Sequence, residues 1–164
     1  MAFALLVGDA SNIDRRPPPD ISALLATYDF AYANKLFCSN FVTHTNEAQR
    51  SHSTFSYFLS ATSYLVHHAH SSGRTSLYAC LSLNILQVCC EESTVLQSLC
   101  GTESRTTVRL CRQKPPNLPP VKGARPAIAF ILDILVDGIN HNLSRRLDID
   151  LHVYDSCYTG TAHR

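Results

Sequence analysis

The chain has 164 residues, enough for one ordinary domain. Its formal net charge of +1 excludes a nucleic-acid binder held by bulk charge. Seven cysteines, with no C-x-x-C pair and most of them inside apolar runs, argue against an evenly paired disulfide scaffold and for free thiols in the cytoplasm.

Apolar residues make up 45% of the chain and charged residues 16%. A typical soluble domain carries about 25% charged residues. So low a density implies that part of the surface is covered by a partner or by further helices. Residues 1–19 read as a poorly ordered tether. The opening MAFALLVG is too short for a signal sequence and lacks a basic flank. Pro17, Pro18 and Pro19 favour polyproline II and block a helix.

Asp20 stands where an N-cap belongs, and ISALLATYDFAYANKLFCSNF follows as one predicted helix. Its apolar face is expected to be Ile21, Leu24, Leu25, Tyr28, Tyr32 and Leu36, spaced by threes and fours or their multiples. After the polar stretch THTNEAQRSHST, Ser53 or Thr54 caps a second helix, FSYFLSATSYLVHHAH. Phe55, Phe58, Leu59, Thr62, Leu65, Val66 and Ala69 keep the helical period. Its length exceeds the usual strand of about 5–6 residues.

Ser71, Ser72 and Gly73 then read as a stop, with Gly73 left-handed. The third predicted helix, RTSLYACLSLNILQVCCEES, is expected to bury Leu77, Leu81, Ile85, Val88 and Cys89. A shorter helix, STVLQSLC, ends at Gly101. The elbow at 114–126, KPPNLPPVKGARP, is a stiff connector between helices or a polyproline ligand. The last predicted helix runs from Pro126 to Leu147. Its buried stripe is Ile128, Ile131, Leu132, Leu135, Ile139 and Leu143, with Asp133, Asp137, Asn140, His141 and Ser144 on a solvated face. Residues 155–164 read as a disordered tail.

Helix after helix predicts an all-α fold over residues 20–154, either stacked antiparallel helices in the armadillo or HEAT manner or a single irregular bundle. No run of about 20 uncharged apolar residues offers a membrane span.

Chemistry leaves few marks. His67, His68 and His70 share a helix end, but zinc would need two more ligands, such as Cys89 or Cys90, and a charged cap on the helix end explains the cluster as well. Asp137 and His141 form an i, i+4 pair that would suit a small hydrolase-like enzyme, with no nucleophile motif to accompany it. The expectation is therefore a non-enzyme with no cofactor, no metal and no small-molecule substrate. The best remaining signal is basic. Arg105, Arg109, Arg112, Lys114, Lys122 and Arg125 lie between Ser104 and Pro126 with no acidic residue among them. On a helix, the first three would form one ridge able to meet an acidic protein partner or an anionic lipid surface.

The run VRLCRQKPPNLPPVKGARPAIAFILDILVDGINHNLSRRLDIDLHVY, with the upstream FSYFLSATSYLVHHAH and RTSLYACLSLNILQVCCEES, resembles the armadillo-like helical domain-containing family across Ala23 to Tyr154. The resemblance implies a helical scaffold without known catalysis. Its animal members are linked to the Golgi and to partners that govern phosphoinositide production and small-GTPase exchange, and its members are several times longer than this chain. By that resemblance the chain is a scaffold segment that binds proteins, in the cytoplasm and peripherally at Golgi membranes. It transfers no functional residue. A truncated gene product with no independent function is the other reading of the weakening pattern after Asp148.

Overall fold

The computed structural model describes residues 20–44, 53–101, 105–111 and 123–144. The expected tether, the tail and most of the elbow lie outside these residues, as do Arg112, Lys114 and Lys122. What is described is all-α: helices packed on one another, with one two-stranded ribbon. The helices are α1 (Asp20–Ala33), α2 (Lys35–Thr43), α3 (Thr54–His67), α4 (Gly73–Glu91), α5 (Ser93–Cys100) and α6 (Ala127–Ser144). The strands β1 (Arg105–Thr106) and β2 (Arg125–Pro126) pair antiparallel, and a 3₁₀ turn (Ala69–Ser71) joins α3 to α4.

The first predicted helix is in fact two. At Asn34 the backbone turns extended (φ −145°, ψ 108°), and the side-chain Oδ1 accepts from the N–H groups of Leu36 (2.9 Å) and Phe37 (3.3 Å). A side chain that satisfies the first free donors of a new helix makes a break inexpensive. The break also redirects the apolar face. Leu24, Ala31 and Cys38 are buried, whereas Leu25, Tyr32 and Leu36, expected inside, are exposed. Replacing Asn34 with Ala should cost about 1 kcal/mol, read as a lower urea midpoint at unchanged slope.

The second predicted helix keeps its expected apolar face but ends at His67, with a 3₁₀ turn over Ala69–Ser71. Ser53 caps it, its Oγ accepting from the Ser56 N–H at 3.2 Å, and all seven expected positions are buried. Phe41 of α2 wedges between Phe55 and Phe58 of α3, with centroids 5.5 and 5.4 Å away and both contacts edge-on. Such geometry sets the positive rim of one ring against the negative face of the next.

Gly73 does not close that helix. Ser72 instead caps α4, its Oγ accepting from the Thr75 N–H at 3.2 Å, and Gly73 is the first residue of the new helix. The left-handed glycine is Gly123 (φ +98°), at the turn into β2, where an L side chain would be strained. α4 also buries a different side from the one expected. Thr75, Ala79, Ser82, Leu83 and Leu86 join Ile85 and Cys89 inside, and Leu77 faces out. Ser82 is fully buried because its Oγ donates to the Tyr78 carbonyl at 2.9 Å, so the hydroxyl carries its own partner inward.

Contacts run from α1 to α4, from α4 to α3 and from α3 to α6, so α4 and α3 lie between α1 and α6. α5 joins the set by packing on α2, α4 and α6. Within α6 the buried residues are Ala127, Phe130, Ile131, Ile134, Leu135 and Gly138. Leu132 and Leu143, expected inside, are exposed, and Ile128 and Ile139 are half-buried.

Candidate functional site

α3 meets other helices and the later chain on more than its apolar face. Ser56, Ser60, Ser63, His67 and His70 recur at intervals of four and three along α3 and into the 3₁₀ turn. That stripe would ordinarily be the wet side of an amphipathic helix. Here Ser56, Ser63 and His67 are buried, and the second half of the chain reaches Ser63 and His67.

Ser60 and Ser63 receive the segment that follows β1. The Ser60 Oγ donates to the Arg109 carbonyl at 2.6 Å, and the Cys111 N–H donates to the Ser63 Oγ at 2.8 Å. Val108 and Leu110 point into the core and Thr107 and Arg109 point out, an alternation with the period of extended chain. The helical ridge of Arg105, Arg109 and Arg112 is thereby corrected. Residues 105–111 form an extended strap, because two hydroxyls on α3 satisfy backbone groups that a helix would have paired internally.

The described basic residues serve different ends. Arg105 is exposed, but its Nε donates to the Ala124 carbonyl at 3.1 Å, across the ribbon. Arg109 presents an exposed side chain on the same side of the strap. Arg125 turns inward: its guanidinium pairs with the Asp133 carboxylate and lies over the Phe130 ring, 4.4 Å from the centroid. Asp133, expected on a solvated face, is half-buried in that pair. Of the six basic candidates, the structure thus places Arg105 and Arg109 on an open face, commits Arg125 to the fold, and leaves the other three outside the described residues.

His67 and His70 meet α6. The His67 ring is 1% exposed, and its Nδ1 lies 3.5 Å from Oδ2 of Asp137. His141, one helical turn beyond Asp137, sets its ring 4.0 Å from that of His67. The Nε2 of His141 lies 3.3 Å from the Nδ1 of His70, one nitrogen donating and the other accepting. His68 meets the His67 ring edge-on, 5.2 Å between centroids, and stacks on Tyr64 at 4.2 Å with its Nδ1 2.9 Å from the Tyr64 carbonyl. The Asp–His pair expected along one face of α6 is therefore part of a junction between α6 and the α3 corner, with Asp137 reaching a histidine on another helix. Among the described residues no group of three or more His, Cys, Asp or Glu side chains is arranged to hold a metal ion. Cys89, considered as a zinc ligand, is buried in the apolar core. The Cys89 thiol is pushed well up from its ordinary range by burial, then by Cys38 beside it.

A third feature is apolar and exposed. Leu25, Phe30 and Tyr32 on α1 and Leu36 on α2 point outward, as do Leu132, Val136 and Leu143 on α6. On α6 the first two of these are one helical turn apart and the third two turns further on, which makes a second stripe beside the buried one.

The fold thus defines an all-α protein of packed helices. Of the curated proteins, a UPF0588 membrane protein of Schizosaccharomyces pombe is 25% identical over 142 residues, which cover 87% of this chain and 23% of that relative. The chain spans about a quarter of the length of the relative it matches. No protein-family model matches the chain. No solved structure gives a significant match. No described helix is long and apolar enough to cross a membrane.

Proposed function

We propose that this chain is a non-catalytic segment of an armadillo-like helical scaffold that binds protein partners at a cytoplasmic membrane surface. The observation that carries the reading is the placement of the exposed apolar side chains. Large side chains face solvent on α1 and α6, the outer helices of the sequence α1, α4, α3, α6, where a stack of helices continues or a partner adds to it.

The membrane setting draws on the name of the yeast relative and on the exposed Arg109 and Arg105, each able to contribute about 1 kcal/mol at an anionic lipid surface. The Golgi draws on the family resemblance alone. The hydrolase-like alternative would rest on Asp137 and the histidines it meets, His67 among them, with no nucleophile motif in the sequence beside them.

Site-specific photo-crosslinking in cells tests the reading. A crosslinker at Phe30, Leu132 or Val136 should capture discrete protein partners, and one at the exposed Arg74 should capture few. Equal yields at all four positions would defeat the scaffold reading.

A further inference from the structure

We propose that Thr107 is a phosphorylation site whose phosphate is held between the side chains of Arg105 and Arg109. The site stands independently of the scaffold reading, since it concerns the chemistry of the strap and not what α1 or α6 meets.

The strap turns one row of side chains to solvent. Arg105, Thr107 and Arg109 are exposed, Val108 and Leu110 are buried, and Thr106 is half-buried opposite Arg125. At about 3.3 Å of rise per residue, Thr107 lies about 7 Å along the chain from either arginine. A guanidinium on its long side chain reaches that far from both directions. The backbone beneath the row is tied down along its length. β1 pairs with β2, the Arg109 carbonyl accepts from Ser60, and the Cys111 N–H donates to Ser63. The row is therefore fixed by the fold, and its spacing is that of extended chain.

The surroundings suit an anion. α3, on which the strap lies, carries no Asp, Glu, Lys or Arg. β2 contributes Arg125, whose charge is met by Asp133. Arg105 uses its Nε on the Ala124 carbonyl at 3.1 Å, and the two terminal nitrogens of its guanidinium are further donors. Arg109 is tied to α3 through its carbonyl, and its side chain is exposed. Two cations thus bracket one hydroxyl, with no carboxylate from α3, β1 or β2 between them.

A phosphate on Thr107 would carry about −1.5 to −2 charges and three acceptor oxygens. Arginine meets such a group with paired, charge-assisted hydrogen bonds. The chain itself delivers the phosphate between its two partners, so no second molecule has to be ordered. The open face then passes from two positive charges to nearly none, which removes its attraction for acidic partners and anionic surfaces.

The acceptor is also presented as a protein kinase takes it. Arg105 stands two residues before Thr107, the backbone is extended, and the hydroxyl-bearing side chain is exposed. In the transfer, the Thr107 Oγ1 bonds to the γ-phosphorus of Mg-ATP. The bond from that phosphorus to the bridging oxygen breaks, ADP leaves, and the hydroxyl proton passes to the catalytic Asp of the kinase.

The intact chain, incubated with Mg-ATP and a kinase that selects arginine two residues before its acceptor, tests the site by mass spectrometry. Thr107 should take up phosphate, Thr107→Val should lose that uptake, and Thr106→Val should keep it. Phosphorus NMR of the modified chain tests the arginine cradle. The second phosphate pKa, about 6 in an open phosphothreonine, should lie about one unit lower. Arg109→Gln leaves Arg105 for the kinase and takes one cation from the phosphate, so it should move that pKa back towards 6. Arg109 is exposed, and a thermal melt equal to that of the parent chain separates this change from a folding defect. An intact chain that takes up no phosphate at Thr107 would overturn the proposal. So would modification of Thr106 in its place, or a second pKa that Arg109→Gln does not move.

Discussion

Phe58→Ala is expected to lower stability by about 3–5 kcal/mol, the range for an aromatic ring removed from a close-packed core. Phe58 is fully buried and touches Phe41 edge-on while tilting against Phe55, so its removal opens a cavity where α2 and α3 meet. The cavity would not collapse readily. Phe41 is itself held by Phe37, stacked 5.7 Å away on α2, and Phe55 is held by the first turn of α3. For a chain of this size the loss corresponds to a fall in melting temperature of about 10–15 °C. Leu132→Ala is the contrast. Leu132 is a large aliphatic residue too, but it is 47% exposed on α6, and its truncation should move stability by no more than about 0.5 kcal/mol. Thermal melts of the two variants beside the parent chain measure both. A small effect at Phe58 would mean that the aromatic wedge is not packed as described.

Alkaline pH is expected to destabilise the fold through its thiols. The Cys90 thiol is pushed up from 9.0 to about 11, by burial first and then by Cys100 and Glu91. Cys89 and Cys38 shift in the same direction, again chiefly through burial. A thiol with a raised pKa keeps its proton longer in the fold than in the unfolded chain. Above pH 9 the unfolded chain therefore binds fewer protons, and stability falls as pH rises. Below pH 9 these groups contribute no slope. Cys90 by itself should cost about 1 kcal/mol between pH 8 and pH 10, and a Cys90→Ala variant should lose that part of the slope.

The same shift has a kinetic face. Two units of pKa leave about a hundredfold fewer thiolates at pH 8. The greater nucleophilicity of a weaker acid returns part of this, so Cys90 in the native chain should be alkylated about tenfold more slowly than a small thiol of pKa 9. Labelling at the unperturbed rate would show that the half-buried Cys90 thiol is not shielded from water.

The helical class was readable from residue spacing because α3 has almost no competing signal. Phe55, Phe58, Leu59, Thr62, Leu65, Val66 and Ala69 were expected inside and are inside. The boundaries of α5 were equally plain, since Gly101 ends a short apolar-periodic run. On α6 the expected stripe was only partly right, because a second apolar row runs beside the buried one. α6 carries Leu132, Val136 and Leu143 outside and Phe130, Ile131 and Ile134 inside, and hydrophobicity alone cannot rank two greasy sides. α4 went wrong for the opposite reason. Thr75 and Ser82 look like surface residues until their hydroxyls are seen bonded within the chain, Ser82 to a carbonyl one turn back and Thr75 to the capping Ser72 at 2.9 Å.

The histidine junction shows the same limit at longer range. The spacing of Asp137 and His141 was visible, as was the gathering of His67 and His70. Nothing local says that residues about seventy positions apart will touch, as His70 and His141 do. The intervals of four and three that join Ser56, Ser60, Ser63, His67 and His70 were a usable signal, but a polar stripe on a helix reads as a wet face unless something is known to cover it.

Local chemistry in the chain was thus enough to set its class and most of its helix ends. Periodic apolar residues, the capping Ser53 and the Gly101 stop act over a few residues and need no partner, whereas the Asn34 break and the Ser72 cap went unread. Which side of α4 and α6 is hidden, the laying of 105–111 across α3, the turning inward of Arg125 and the meeting of three imidazoles with Asp137 followed from packing. Burial is a property of two surfaces brought together, and each stretch of sequence records one of them.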